Sequence, residues 1–156
     1  MKSQLKKLMT GLAGEYLVAG IMSLKGWTAS MTLKNYPGVD IFGLNNETGQ
    51  TASIQVKSCW DNSFFIGVRR SEREQMKDKI KGPFVFVHCE KDSFGRESAS
   101  FYILSKDEFI TLVNKSDDAY YYGPHKRTIK EDYPIALSLK KDLIPYKDHW
   151  ESLWKD

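Results

Sequence analysis

The sequence predicts an α/β fold in one domain: a helix, a three-stranded antiparallel meander, a second helix and a further strand. Three observations predict it. Leu5, Leu8, Met9, Leu12, Tyr16, Leu17, Gly20, Ile21 and Leu24 recur at helical spacing, giving an apolar face about twenty residues long. Ile54, Gln55, Val56 and Lys57 alternate apolar with polar, the period of a strand with one buried face. Between them, Asn35-Tyr36-Pro37-Gly38 and Asn46-Glu47-Thr48-Gly49 carry turn chemistry.

In chain order, Gly26 stops the first helix, and Thr28–Lys34 is a short strand broken by the turn at 35–38. Val39–Leu44 and Ala52–Trp60 are the next two strands, joined by a hairpin loop at 46–49 that pairs Asn45 with Gln50. Phe64–Val68 reads as another strand. Ser71-Glu72-Arg73-Glu74 is a capping box opening a helix that ends near Gly82-Pro83. Phe84–Cys89 is a β-rich run, and Ser100–Leu104 returns antiparallel to it. A second capping box, Ser105-Lys106-Asp107-Glu108, opens a helix through about Asn114. Asp117–Pro134 reads as irregular, Ile135–Leu139 as a strand and His149–Trp154 as a helical turn, with Trp150 and Trp154 anchoring the end of the chain to the core.

At 156 residues and 41% hydrophobic composition, this is a globular domain spanning 1–156, with no repeat or linker to divide it. No apolar stretch approaches the roughly 18 residues a membrane span needs, and no signal-peptide pattern follows Met1. Two cysteines, Cys59 and Cys89, are too few for a disulfide framework; the expectation is a reduced, cytoplasmic protein. The net charge is +3, unevenly spread: residues 1–35 carry five basic residues against one acidic, and residues 61–82 six against four. That is compatible with a polyanionic partner and equally with plain solubility.

The chemistry concentrates on Asp40, Gln55 and Lys57. Strand alternation sends Gln55 and Lys57 to one face, and the hairpin register sets Asp40 opposite Gln55. An acid, an amide oxygen and an ammonium on one strand pair suit a divalent cation and a phosphate. Mg²⁺ takes hard oxygen ligands, few of them from protein, and the ammonium stabilises charge developing on phosphate. Glu15 lies at the edge of the first helix's apolar face, where it can join the site. Gly11 and Gly14 let that turn approach a sheet closely. The bland reading is that Gln55 and Lys57 occupy a solvated strand face and Asp40 closes a turn.

Gly14-Glu15, Gly38-Val39-Asp40-Ile41 and Ile54-Gln55-Val56-Lys57-Ser58 resemble the PD-(D/E)XK nuclease superfamily, over roughly residues 11–90. The branch most similar writes its last motif Ile-Gln-Val-Lys and includes an intron-encoded homing endonuclease. The resemblance implies a restriction-endonuclease-like αβββαβ core (about 4–90) with a mixed central sheet flanked by helices, and a C-terminal elaboration over 91–156. It implies a Mg²⁺-dependent deoxyribonuclease, with Mn²⁺ able to substitute. Asp40 would be the metal-binding aspartate, Gln55 would stand at the usual acidic position, Lys57 would be the catalytic lysine, and Glu15 would match a helix glutamate that supports the metal. DNA is the implied partner, and a homodimer is an assembly many such nucleases use. Gln55 in place of a carboxylate removes one negative charge, so the alternative is an inactive member of the fold that binds nucleic acid or protein.

Lys34, Arg69, Arg70 and Arg73 are candidate contacts to a nucleic-acid backbone. Tyr120-Tyr121-Tyr122, followed by His125, Lys126, Arg127 and Lys130, either stacks bases or packs an irregular segment. His88-Cys89 lacks a second ligand pair at zinc spacing and reads as core.

Overall fold

Helix α1 (Lys2–Leu24) opens the chain, and Gly26 ends it in a left-handed conformation (φ +85°) that a side chain would resist. The computed structural model describes residues 2–33, 36–123 and 132–154. After α1 come β1 (Trp27–Met31), β2 (Ile41–Asn45) and β3 (Thr51–Cys59). They form the expected antiparallel meander, with the Asn45 amide donating to the Gln50 carbonyl across the hairpin loop.

Strand β4 (Ser63–Arg69) turns away, and a 3-10 turn (Arg70–Gln75) and the one-turn α2 (Met76–Lys79) lead to β5 (Phe84–Lys91). β5 runs parallel to β3, and β6 (Glu97–Leu104) pairs antiparallel with β5. The main sheet therefore has the order β1-β2-β3-β5-β6. The meander forms one side of this mixed sheet, and β3 lies at its centre. Helix α3 (Lys106–Tyr122) follows, and β7 (Pro134–Ser138) pairs with β4 as a separate two-stranded sheet. The result is a mixed α/β architecture with a C-terminal extension, and no helix among the described residues is long and apolar enough to cross a membrane.

Although Phe42 and Leu44 of β2 remain exposed, the main sheet carries a core on each face. On one, Val18 and Met22 of α1 cover Ile54, Val56, Val85 and Val87, with Trp150 and Leu153 closing the cluster. On the other, Phe84 and Phe86 meet Phe64, Ile66, Phe109 and Leu137, with the Phe84 and Phe109 rings stacked at 3.8 Å. Trp154 stacks on Trp27 at 4.7 Å, so both C-terminal tryptophans anchor the chain as expected.

Three expectations are corrected. Most of the predicted apolar face of α1 is exposed, including Leu5, Leu8, Met9, Tyr16, Leu17 and Leu24. The buried stripe is instead Gly14, Val18 and Met22. The reason is steric: a Cβ on Gly14 would overlap the Ser58 side chain of β3, so the helix docks with Gly14 against that strand. The first capping box sits two residues earlier than predicted. The Arg69 amide donates to Glu72 at 3.0 Å, while the Ser71 amide is claimed by Asp132. Finally, α3 continues to Tyr122 rather than ending near Asn114. Its start is as read, with the Ser105 hydroxyl accepting from the Glu108 amide and the Glu108 carboxylate from the Ser105 amide.

Candidate active site

Asp40 stands at the end of the β2–β3 ladder, where pairing stops at Ile41 and Ile54. A regular antiparallel continuation would give the Val56 amide the carbonyl of Val39. The Asp40 carboxylate takes that place: Val56 N donates to Asp40 Oδ2 at 2.7 Å. The displaced Val39 carbonyl accepts from the Thr32 hydroxyl at 2.6 Å, and the Asp40 amide donates to Ile54 O at 2.8 Å. Asp40 is therefore not in simple register opposite Gln55. A one-residue irregularity re-aims its side chain along the sheet plane onto the amide between Gln55 and Lys57, as bulges at strand ends do.

Asp40 also lines a cleft of about 310 Å³ between α1 and the β1–β2 connection, and Glu15 lines the same cleft from the helix. The close Gly14–Ser58 approach is what brings this turn of α1 down to the strand ends. Thr32, Tyr36 and Lys7 complete the walls. None of these three carries a sequence signal: Tyr36 belongs to a stretch readable only as a turn, and Lys7 to a run of helix lysines.

The structure thus gathers Glu15 and Asp40 in one cleft. Gln55 and Lys57 occupy the backbone that holds Asp40, but their side chains lie outside the cleft lining. Ile54 and Val56 point to the α1 core, so alternation sends Gln55 and Lys57 to the other face. Lys57 extends toward Gly67 of β4, where an added Cβ would stand 3.9 Å from Nζ.

No group of three His, Cys, Asp or Glu side chains among the described residues is placed to hold a metal ion. The two carboxylates in the cleft still fit Mg²⁺, which is commonly held by one or two carboxylates and keeps several waters. One Asp40 oxygen is already committed to Val56, which argues for weak binding. Glu15 and Asp40 are the residues that would hold the ion, whereas the Gln55 side chain, expected as a third ligand, lies on the other face of β3.

The candidate phosphate-binding arginines are engaged within the chain. The fully buried Asp117 carboxylate of α3 accepts from Arg70 at 2.5 Å, Arg73 at 2.7 Å and the Tyr133 hydroxyl at 2.6 Å. Burial and the Asp117 carboxylate push the Tyr133 phenol up to about 12. Arg73 also pairs with Asp118, and Arg69 with Asp132. Arg70 and Arg73 tie the 3-10 turn to α3, and Arg69 ties the end of β4 to the chain entering β7, which leaves each guanidinium little to offer a phosphate. Lys34, His125, Lys126, Arg127 and Lys130 lie outside the described residues. Tyr120, Tyr121 and Tyr122 form the last turn of α3 rather than an irregular segment, with the Arg70 guanidinium 3.6 Å from the Tyr121 ring centre.

His88 is buried beside Glu90, and both thiols are free. Burial pushes the Cys59 thiol up to about 11. No protein-family model, curated protein or solved structure matches this chain.

Proposed function

We propose that this protein is a metal-dependent nuclease of the PD-(D/E)XK type, acting on phosphodiester bonds in DNA. The observation that carries the reading is the anchored Asp40 carboxylate sharing a cleft with Glu15, on the amide flanked by Gln55 and Lys57. The element order supports it: a helix, a meander and a crossover to a strand parallel to the third. The free thiols suit a reducing, cytoplasmic setting.

In this reading Val56 N–H fixes the Asp40 carboxylate, so the acid needs no reorganisation when it acts as a ligand. Glu15 adds a second negative charge from the helix. A bound Mg²⁺ would supply Lewis-acid polarisation of phosphate and water. Lys57, on the other face of β3 and reaching toward Gly67, is the cation that the resemblance assigns to charge developing on the phosphate. The test is Mg²⁺- or Mn²⁺-dependent cleavage of plasmid and branched DNA by the wild type beside Asp40→Asn and Lys57→Met. Loss of cleavage in both folded variants supports the assignment. Wild-type rates in either remove that residue from the chemistry.

A second reading is favoured by Gln55 and by the structural bond that Asp40 already makes: a nuclease-like fold that binds without cutting. Binding of DNA by the wild type with no cleavage under either metal would select it.

A further inference from the structure

We propose that the cleft between α1 and the β1–β2 connection receives one unpaired nucleotide, so that the preferred partner is single-stranded DNA. The inference rests on the nucleic-acid part of the reading above and narrows it to a substrate class. Size is the first argument. At about 310 Å³ the cleft sits at the low end of the roughly 300–1,000 Å³ typical of small-ligand pockets. A paired, stacked duplex cannot place a base there without extruding it, whereas a single strand has bases already free.

Chemistry is the second. Tyr36 (63% exposed) and Leu33 (87%) line the cleft from the β1–β2 connection, and Leu8 and Leu12 line it from α1. An aromatic ring with aliphatic groups opposite offers both faces of a base a partner, and base–aromatic stacking is indifferent to sequence. Charge is the third. Lys7 stands in the cleft wall, and no acidic residue occurs on α1 before Glu15. A phosphate at this rim meets lysine. The carboxylates of Glu15 and Asp40 lie along the same cleft, so a nucleotide seated there brings its backbone beside the candidate metal ligands.

The experiment measures binding of the full chain to a fluorescent single-stranded oligonucleotide and to the matching blunt duplex, by anisotropy in EDTA so that nothing is cut. The single strand is expected to bind more tightly. Tyr36→Ala should weaken single-strand binding roughly 5- to 150-fold, the equivalent of about 1–3 kcal/mol per stacked base. Tyr36→Phe should retain it, because the ring is kept. The exposure of Tyr36 makes both variants safe for the fold. Equal or tighter binding of the duplex, or no change in Tyr36→Ala, overturns the inference. Cleavage with Mn²⁺, assayed separately, distinguishes its fate from that of the nuclease reading. A wild type that cuts duplex DNA with no dependence on Tyr36 sinks the inference alone. One that binds single strands through Tyr36 but never cuts sinks the nuclease reading alone.

Discussion

Asp40 is assigned two jobs, completing a strand ladder and holding a metal ion, and two substitutions separate them. Asparagine keeps an oxygen for the Val56 amide and removes the charge; alanine removes the acceptor altogether. A hydrogen bond to a charged group contributes about 1.5–3 kcal/mol and a neutral one about 0.5–1.5, so Asp40→Asn should cost about 1 kcal/mol. Asp40→Ala leaves Val56 N–H without its partner inside the sheet and should cost about 2–3 kcal/mol. Urea unfolding at neutral pH, with unchanged slope, reads both values. Cleavage with Mn²⁺ should be lost in both, because the charge is absent from both. Asp40→Ala as stable as the wild type would refute the ladder role. Asp40→Asn cutting at the wild-type rate would refute the ligand role even if the stability pattern holds.

Gly14→Ala should lose about 1–3 kcal/mol, because the methyl group meets Ser58, whereas Gly20→Ala, facing open space in the same helix, should gain about 0.4–1 kcal/mol; opposite shifts in urea midpoint check the pair. Asp117→Ala should lose about 3–5 kcal/mol by leaving two arginines facing an empty position, and a near-unchanged unfolding midpoint would count against the ion-pair latch. The folded state holds the Tyr133 and Cys59 protons more tightly than an unfolded chain does, with values near 12 and 11. Stability should accordingly be full below about pH 9 and fall as pH rises through the window to about 12, with Tyr133→Phe flattening the upper part of the decline.

Features set by neighbours in sequence were legible in advance. The 46–49 hairpin, the Ser105–Glu108 capping box and the strand alternation at 54–57 each depend on a few adjacent residues. Features decided by distant partners were not. Ser71 loses its predicted capping role because Asp132, sixty-one residues away, claims its amide. α3 runs through the polar stretch Lys115-Ser116-Asp117-Asp118 because Asp117 is met by Arg70, Arg73 and Tyr133 from other elements. For α1, hydrophobicity pointed to the wrong stripe: the helix buries Gly14, Val18 and Met22 and leaves Leu5, Leu8, Tyr16 and Leu17 outside. Of the candidate site, the residue types and their strand were readable, along with Gly14 as a point of close approach. The irregularity that turns Asp40 onto Val56 N–H was not, because it depends on Thr32 taking over the Val39 carbonyl.

The same division bears on where a polyanion approaches. Two segments carry excess positive charge in the sequence, but the structure spends the arginines of the second on Asp117, Asp118 and Asp132. Of the α1 lysines, Lys7 stands in the wall of the carboxylate cleft. Each phosphate neutralised on a single strand contributes about 0.7 to the slope of log affinity against log salt. Lys7→Ala should therefore lower that slope by about 0.7, read from anisotropy titrations in EDTA over a range of salt concentrations. Arg69→Ala is the comparison: its pair with Asp132 is half-exposed, so the fold tolerates its loss, and the slope should not move. The reverse result, a slope carried by Arg69 and indifferent to Lys7, would place the nucleic-acid path across β4 and the 3-10 turn, away from the cleft that holds Glu15 and Asp40.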